Sequence, residues 1–132
     1  MNVGKVPQSK TIYNELSLET FKKLLIQNNK IILIKFGATW CGPCKKIKTV
    51  CHNYITKMPE NVLCFDLDVD DNFDIFANLK AKKMVTGIPV LLGFYCKSDK
   101  DMAHWYIPDV SISGTDTAQI NNFFKEIYTH AS

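Results

Sequence analysis

Cys41 and Cys44, separated by Gly42 and Pro43, have the residue types and the spacing for thiol–disulfide exchange. The thiolate, not the thiol, attacks a disulfide sulfur. Proline is tolerated in the first turn of a helix, where its missing N–H would be unpaired in any case. Pro43 therefore predicts a helix that opens at the dithiol. Cys41 then stands at the helix N-terminus, where unpaired backbone N–H groups and the helix dipole favour negative charge. Cys44 lies one turn further in on the same face, close enough to bridge. Cys41 is expected to be the nucleophile, and Cys44 to resolve the mixed disulfide that forms.

A CxxC pair can also be half of a structural zinc site, which usually needs a second close pair of ligands. Cys51 with His52, Cys64 and Cys96 supply no such pair, and His104 and His130 are scattered. No metal is expected. Cys51 falls on the inner face of the predicted helix and Cys64 in an apolar strand, so both read as small core residues. Cys96 is the candidate for a secondary regulatory or dimer-forming thiol.

The apolar pattern outlines the elements that must hold the dithiol. Ile31 to Phe36 is an almost unbroken apolar run, which suits a central strand buried on both faces. The helix after the dithiol is expected to run to about Lys57, with Ile47, Val50, Cys51, Tyr54 and Ile55 inward. Upstream, Lys10 to Glu15 reads as a first strand. Ser17 caps a helix with Phe21, Leu24 and Leu25 on one face, and Asn28-Asn29-Lys30 turns the chain out of it. Downstream, Val62 to Val69 is a second apolar strand, and Asp71 or Asn72 opens a helix with Phe73, Phe76 and Leu79 on one face. Thr86-Gly87-Ile88-Pro89 forms a turn before a strand over Val90 to Tyr95. A further strand is expected within Met102 to Ile112, as part of a long hairpin in which Trp105 and Tyr106 alternate between core and solvent. Asp116 caps a last helix with Ile120, Phe123, Phe124 and Ile127 inward. This order predicts an α/β domain with a mixed sheet covered on both faces.

Composition limits the partners. At 132 residues, 46% hydrophobic and 22% charged, the chain suits one globular domain, here residues 10–132 behind a flexible arm over residues 1–9. The net charge of +3 comes from lysine without arginine, which gives no footprint for nucleic acid. No segment is apolar enough for a membrane span or a signal peptide. The odd cysteine count of 5 does not read as a secreted disulfide framework. A reducing, cytoplasmic setting is expected.

The run Trp40-Cys41-Gly42-Pro43-Cys44-Lys45, the Gly87-Ile88-Pro89 turn and the apolar strand just before the dithiol together resemble the thioredoxin family over about Lys10 to Tyr128. The resemblance implies a thioredoxin fold: a central mixed sheet of four to five strands flanked by helices on both faces. It implies a cis Ile88–Pro89 bond facing the dithiol, and a substrate groove built from Trp40, Gly42, Pro43, Ile88, Pro89 and the glycine turn at Gly114. The implied activity is reduction of disulfides in protein substrates by a monomer without a cofactor, recharged by a thioredoxin-reductase-like or other electron donor.

The chain departs from that family at Lys35, where a buried aspartate is usual. A lysine in this strand needs a neutralising partner. Asp66, at the aligned position of the next strand where a lysine is common, is expected to form a buried ion pair with it, so that Asp66 or a linked water takes over proton transfer to or from Cys44. Gly37 replaces a common tryptophan and should open the groove. These departures keep alternatives open: an interaction module with a secondary redox role, or a more oxidising, disulfide-forming variant.

Overall fold

Every residue of the strand that leads into the dithiol is buried. This strand, β2 (Ile31–Gly37), lies third in a five-stranded sheet of order β1-β3-β2-β4-β5. The computed structural model describes residues 10–27, 29–96 and 101–131. The expected N-terminal arm, Asn28 of the expected turn and residues 97–100 of the expected hairpin lie outside them.

The remaining elements are β1 (Ile12–Tyr13), α1 (Leu18–Gln27), α2 (Gly42–Ile55), β3 (Val62–Asp68), α3 (Phe73–Ala81), β4 (Val90–Phe94), β5 (Val110–Ser113) and α4 (Thr117–Ala131). Strands β1, β3 and β2 run parallel, while β4 and β5 run antiparallel to their neighbours. The sheet is mixed and covered on both faces, as the apolar pattern predicts.

Side chains alternate across a strand, so β2 feeds two cores. Ile32, Ile34 and Phe36 join Phe21 and Leu25 of α1 and Ile75 and Leu79 of α3. Ile31 and Leu33 join Ile47, Cys51 and Ile55 of α2 and Ile120, Phe124 and Ile127 of α4. Lys35 shares the parity of Ile31 and Leu33 and therefore points beneath α2.

The helix starts follow local chemistry. Ser17 Oγ accepts the Thr20 N–H at 3.0 Å ahead of α1, and Asp116 Oδ1 accepts the Gln119 N–H at 3.0 Å ahead of α4. Each carboxylate or hydroxyl satisfies a donor that the helix leaves unpaired.

Several expectations need correction. The first strand is only Ile12–Tyr13, because the side chains of Lys10 and Asn14 take over the bonding to the β3 side on either flank. Phe73 does not line the core: it opens α3 at 67% exposure, and Ile75 and Leu79 face inward with Phe76 half-buried. The last strand begins at Val110. Met102–His104 before it is a 3-10 turn, capped by Asp101 Oδ1, which accepts the Ala103 N–H at 2.9 Å. Trp105 and Tyr106 are both half-buried and do not alternate. Trp105 meets the edge of Phe21, and Lys22 Nζ lies 4.7 Å over its ring. Cys96 is buried in the α1/α3 core at 5% exposure, its thiol directed to the Phe94 carbonyl.

Candidate active site

The dithiol sits where strand β2 gives way to helix α2. Cys41 is the N-cap of α2, with extended backbone angles, and Pro43 falls in the first turn. Cys41 Sγ accepts the backbone N–H of Cys44 at 3.2 Å. The sulfur thus takes the place that a serine or aspartate oxygen usually holds at a helix start, beside donors and the positive end of the dipole. Cys41 and Cys44 are joined as a disulfide, with their Cα atoms 5.3 Å apart. Both are 5% exposed, while Gly42 and Pro43 between them face solvent.

Beneath the dithiol, Lys35 Nζ donates to Asp66 Oδ1 at 3.3 Å. The two residues are directly paired in the β2–β3 register, so the contact follows from strand alignment. The pair is only half buried, against expectation: the Lys35 side chain is 9% exposed, but that of Asp66 is 42% exposed because it borders the cleft. Gly37 lies between this pair and the dithiol. A methyl group placed on Gly37 would sit 3.5 Å from Cys44 Sγ and 3.6 Å from Lys35 Nζ. With no side chain there, a cleft of about 450 Å³ reaches Lys35, Cys44 and Asp66, with Lys45, Lys48 and Asp68 at its margins.

Of the residues expected to bind substrate, Trp40 is 66% exposed. The Ile88–Pro89 bond is cis, with Ile88 half-buried and Pro89 buried. Gly114 has a φ of 95°, a left-handed backbone that favours glycine. Its N–H donates to the Pro89 carbonyl at 3.1 Å, which joins the glycine turn to the proline loop.

The model of the thioredoxin family matches residues 12–123. The chain belongs to the thioredoxin family. It is 39% identical to mouse (Mus musculus) thioredoxin over 85 residues, covering 64% of this chain and 75% of the mouse protein. It is 37% identical to human thioredoxin over 79 residues, covering 60% of this chain and 68% of the human protein. Among solved structures, thioredoxin of Malassezia sympodialis superposes with a TM-score of 0.66 at 23% identity, covering 92% of this chain and 94% of that one. Chloroplastic thioredoxin z superposes with a TM-score of 0.62 at 22% identity, covering 90% of this chain and 96% of that one. At such identities these two show the fold. Family membership and the Cys41–Cys44 pair make the chain a thiol–disulfide oxidoreductase of the protein-disulfide reductase type.

The other cysteines stand apart from this thioredoxin site. Cys51 and Cys64 are fully buried and not disulfide-bonded. Loss of hydration pushes each thiol up to about 11; Lys35 pulls Cys51 back and Asp66 raises it further, while Lys10 pulls Cys64 back. Among the described residues no cluster of three or more His, Cys, Asp or Glu could hold a metal ion, and no helix is long and apolar enough to cross a membrane.

Sequence reasoning missed the residues that anchor Trp40. The Trp40 indole donates to Asp70 Oδ2 at 2.8 Å. Asp68 braces the same corner: its Oδ2 accepts the Thr39 N–H at 3.2 Å and its Oδ1 the Asp70 N–H at 2.8 Å. The available signal was the acidic run Asp68 to Asp71 at the end of a buried strand. Carboxylates at such a point often accept nearby backbone donors.

Proposed function

We propose that the chain works in the reducing direction in the cytoplasm, as a monomer that passes electrons from a reductase to disulfides in other proteins. Trp40, Gly42, Pro43, Ile88, Pro89 and Gly114 form the surface on which an extended substrate segment lies, pairing with the backbone ahead of Pro89 in strand-like fashion. Cys41 attacks, Cys44 resolves, and Lys35 with Asp66 manage the charge and proton at Cys44.

The observation that carries this reading is the placement of Cys41 Sγ as the N-cap acceptor of α2, 3.2 Å from the Cys44 nitrogen. A sulfur in that position is stabilised as a thiolate and made ready to attack. The buried, unbridged thiols Cys51 and Cys64 favour a reducing compartment. A sheet whose two cores are filled by its own helices favours a monomer.

Insulin reduction driven by dithiothreitol tests the activity. The wild-type chain should accelerate precipitation of the insulin B chain, Cys41→Ser should abolish the acceleration, and Cys44→Ser should trap substrate on Cys41. Absence of turnover, or turnover untouched by Cys41→Ser, overturns the reading.

A further inference from the structure

We propose that Lys35 is a positioning residue that holds Cys44 as a thiolate, so that resolution of the mixed disulfide needs no general base. The proposal rests on the dithiol reading above and goes further, giving the Lys35–Asp66 pair a definite division of labour.

The geometry selects Cys44 over Cys41. Strand parity sends Lys35 beneath α2, and its ammonium and Cys44 Sγ flank the gap at Gly37. The two atoms can be no further apart than the combined 3.5 and 3.6 Å from the missing methyl position. Asp66 lies further from that point than either atom. Its carboxylate also faces the cleft at 42% exposure, where water screens it, whereas Lys35 at 9% is largely dry. The field at Cys44 is therefore dominated by the cation. An opposite charge at this range favours the ionised form.

The other groups around Cys44 do not reverse that balance. Asp66 and Asp68 approach from β3, and Asp68 already accepts from Thr39 and Asp70. Its own helix adds Lys45 and Lys48, both cationic, on the cleft margin, and Cys51, which burial keeps protonated. From β4, the residues paired with Phe36 and Lys35 are Val90 and Leu91, which carry no charge.

The reaction then runs as two exchanges. The Cys41 thiolate attacks a substrate disulfide: the bond from Cys41 to one substrate sulfur forms, and the other sulfur leaves with the electron pair and takes a proton from water. The Cys44 thiolate attacks Cys41: the Cys41–Cys44 bond forms, the bond to substrate breaks, and the second substrate thiolate leaves and is protonated. The dithiol is oxidised and the substrate disulfide reduced. Cys44 loses its proton to water through the cleft before it attacks. Asp66 holds the ammonium in place.

The test is the titration of Cys44 in the reduced protein, followed by NMR of 13C-labelled cysteine, together with rapid-quench measurement of resolution. Lys35→Met should raise the Cys44 midpoint by about 1 pH unit or more. Below the wild-type midpoint it should slow resolution about threefold, since a roughly tenfold loss of thiolate is partly offset by the greater nucleophilicity of the thiolate that remains. Lys35→Arg should restore both. Asp66→Asn, which keeps the cation and removes the carboxylate beside it, should lower the midpoint rather than raise it. The double variant Lys35→Met with Asp66→Asn should keep the raised midpoint, which separates loss of the cation from exposure of a bare carboxylate. If Lys35→Met fails to fold, Lys35→Gln takes its place. An unmoved midpoint without Lys35, a midpoint that returns to wild type in the double variant, or slowing by Asp66→Asn equal to that of Lys35→Met overturns the proposal. Insulin reduction by the wild type, run alongside, separates the failures. Without turnover the oxidoreductase reading falls; with turnover and an unmoved Cys44, only the role of Lys35 falls.

Discussion

Trp40 and Asp70 are tied by an indole N–H donated to a carboxylate oxygen at 2.8 Å, so the exposed indole is fixed to the loop ahead of α3. An exposed hydrogen bond to a charged acceptor contributes about 1 kcal/mol. Asp70→Ala should raise KM for insulin by a few-fold with little change in kcat. An unchanged KM would show that the indole needs no anchor.

Asn72 is the buried joint behind that loop. Its Oδ1 accepts the Leu16 N–H at 2.9 Å, and its Nδ2 donates to the carbonyls of Asn14 at 3.1 Å and Asp68 at 3.0 Å. Asn72→Leu removes the side-chain partner of the buried Leu16 N–H and of the Asn14 carbonyl, while the Asp68 carbonyl keeps the backbone N–H groups of Asp71 and Asn72, and should cost about 1–3 kcal/mol. Urea unfolding reads this as a lower midpoint at constant slope; a midpoint equal to wild type would refute it.

Gly93 and Gly37 should respond differently to alanine. On Gly93 a methyl would lie 2.7 Å from Val110 Cγ2 and 2.9 Å from Ile127 Cδ1. Overpacking of this kind costs about 1–3 kcal/mol. On Gly37 the nearest atoms stand at 3.5 Å and beyond, so Gly37→Ala should fold with stability within about 1 kcal/mol of wild type. Paired melts of the two variants check the contrast.

Alkaline pH should weaken the fold through Cys51 and Cys64. Their thiols, ordinarily 9.0, rise to about 11 in the folded chain. The folded state then holds more protons than the unfolded chain between those values. The stabilisation is complete below pH 9 and is lost as pH rises through 11. Each thiol accounts for on the order of 2 kcal/mol of that loss. Urea midpoints from pH 8 to about 11 should fall more steeply for wild type than for Cys51→Ala with Cys64→Ala. Parallel slopes would count against it.

What could be read from the sequence was mostly local. Pro43 after Cys41 specifies a helix start by chemistry confined to one turn, and α2 begins there. The Ile-rich run and the α4 stripe announce burial through composition and period, and both are buried. What could not be read depends on groups far apart in the chain. Phe73 looks like a core residue, yet Ile75 and Leu79 hold the inner face of α3. β5 starts late because Asp109 first binds back to the end of β4: its Oδ2 accepts the Tyr95 N–H at 2.8 Å, and its N–H donates to the Gly93 carbonyl at 2.9 Å. Asp70 as the anchor of Trp40 is likewise a tertiary fact. Lys35 and Asp66 were the exception, because strand register alone brings them opposite each other.

The settings of Trp40 and Trp105 give the molecule separate optical reporters. Trp40 faces water one residue before the dithiol, so its emission should brighten when the neighbouring disulfide, a contact quencher of indoles, is reduced. Trp105 is half-buried against Phe21, with the Lys22 and Lys82 ammonium groups over its ring. Its emission should ignore the redox state and move to longer wavelength only when the chain unfolds. With Trp40→Phe and Trp105→Phe, one spectrum would follow electron transfer and the other the integrity of the fold, without any added label.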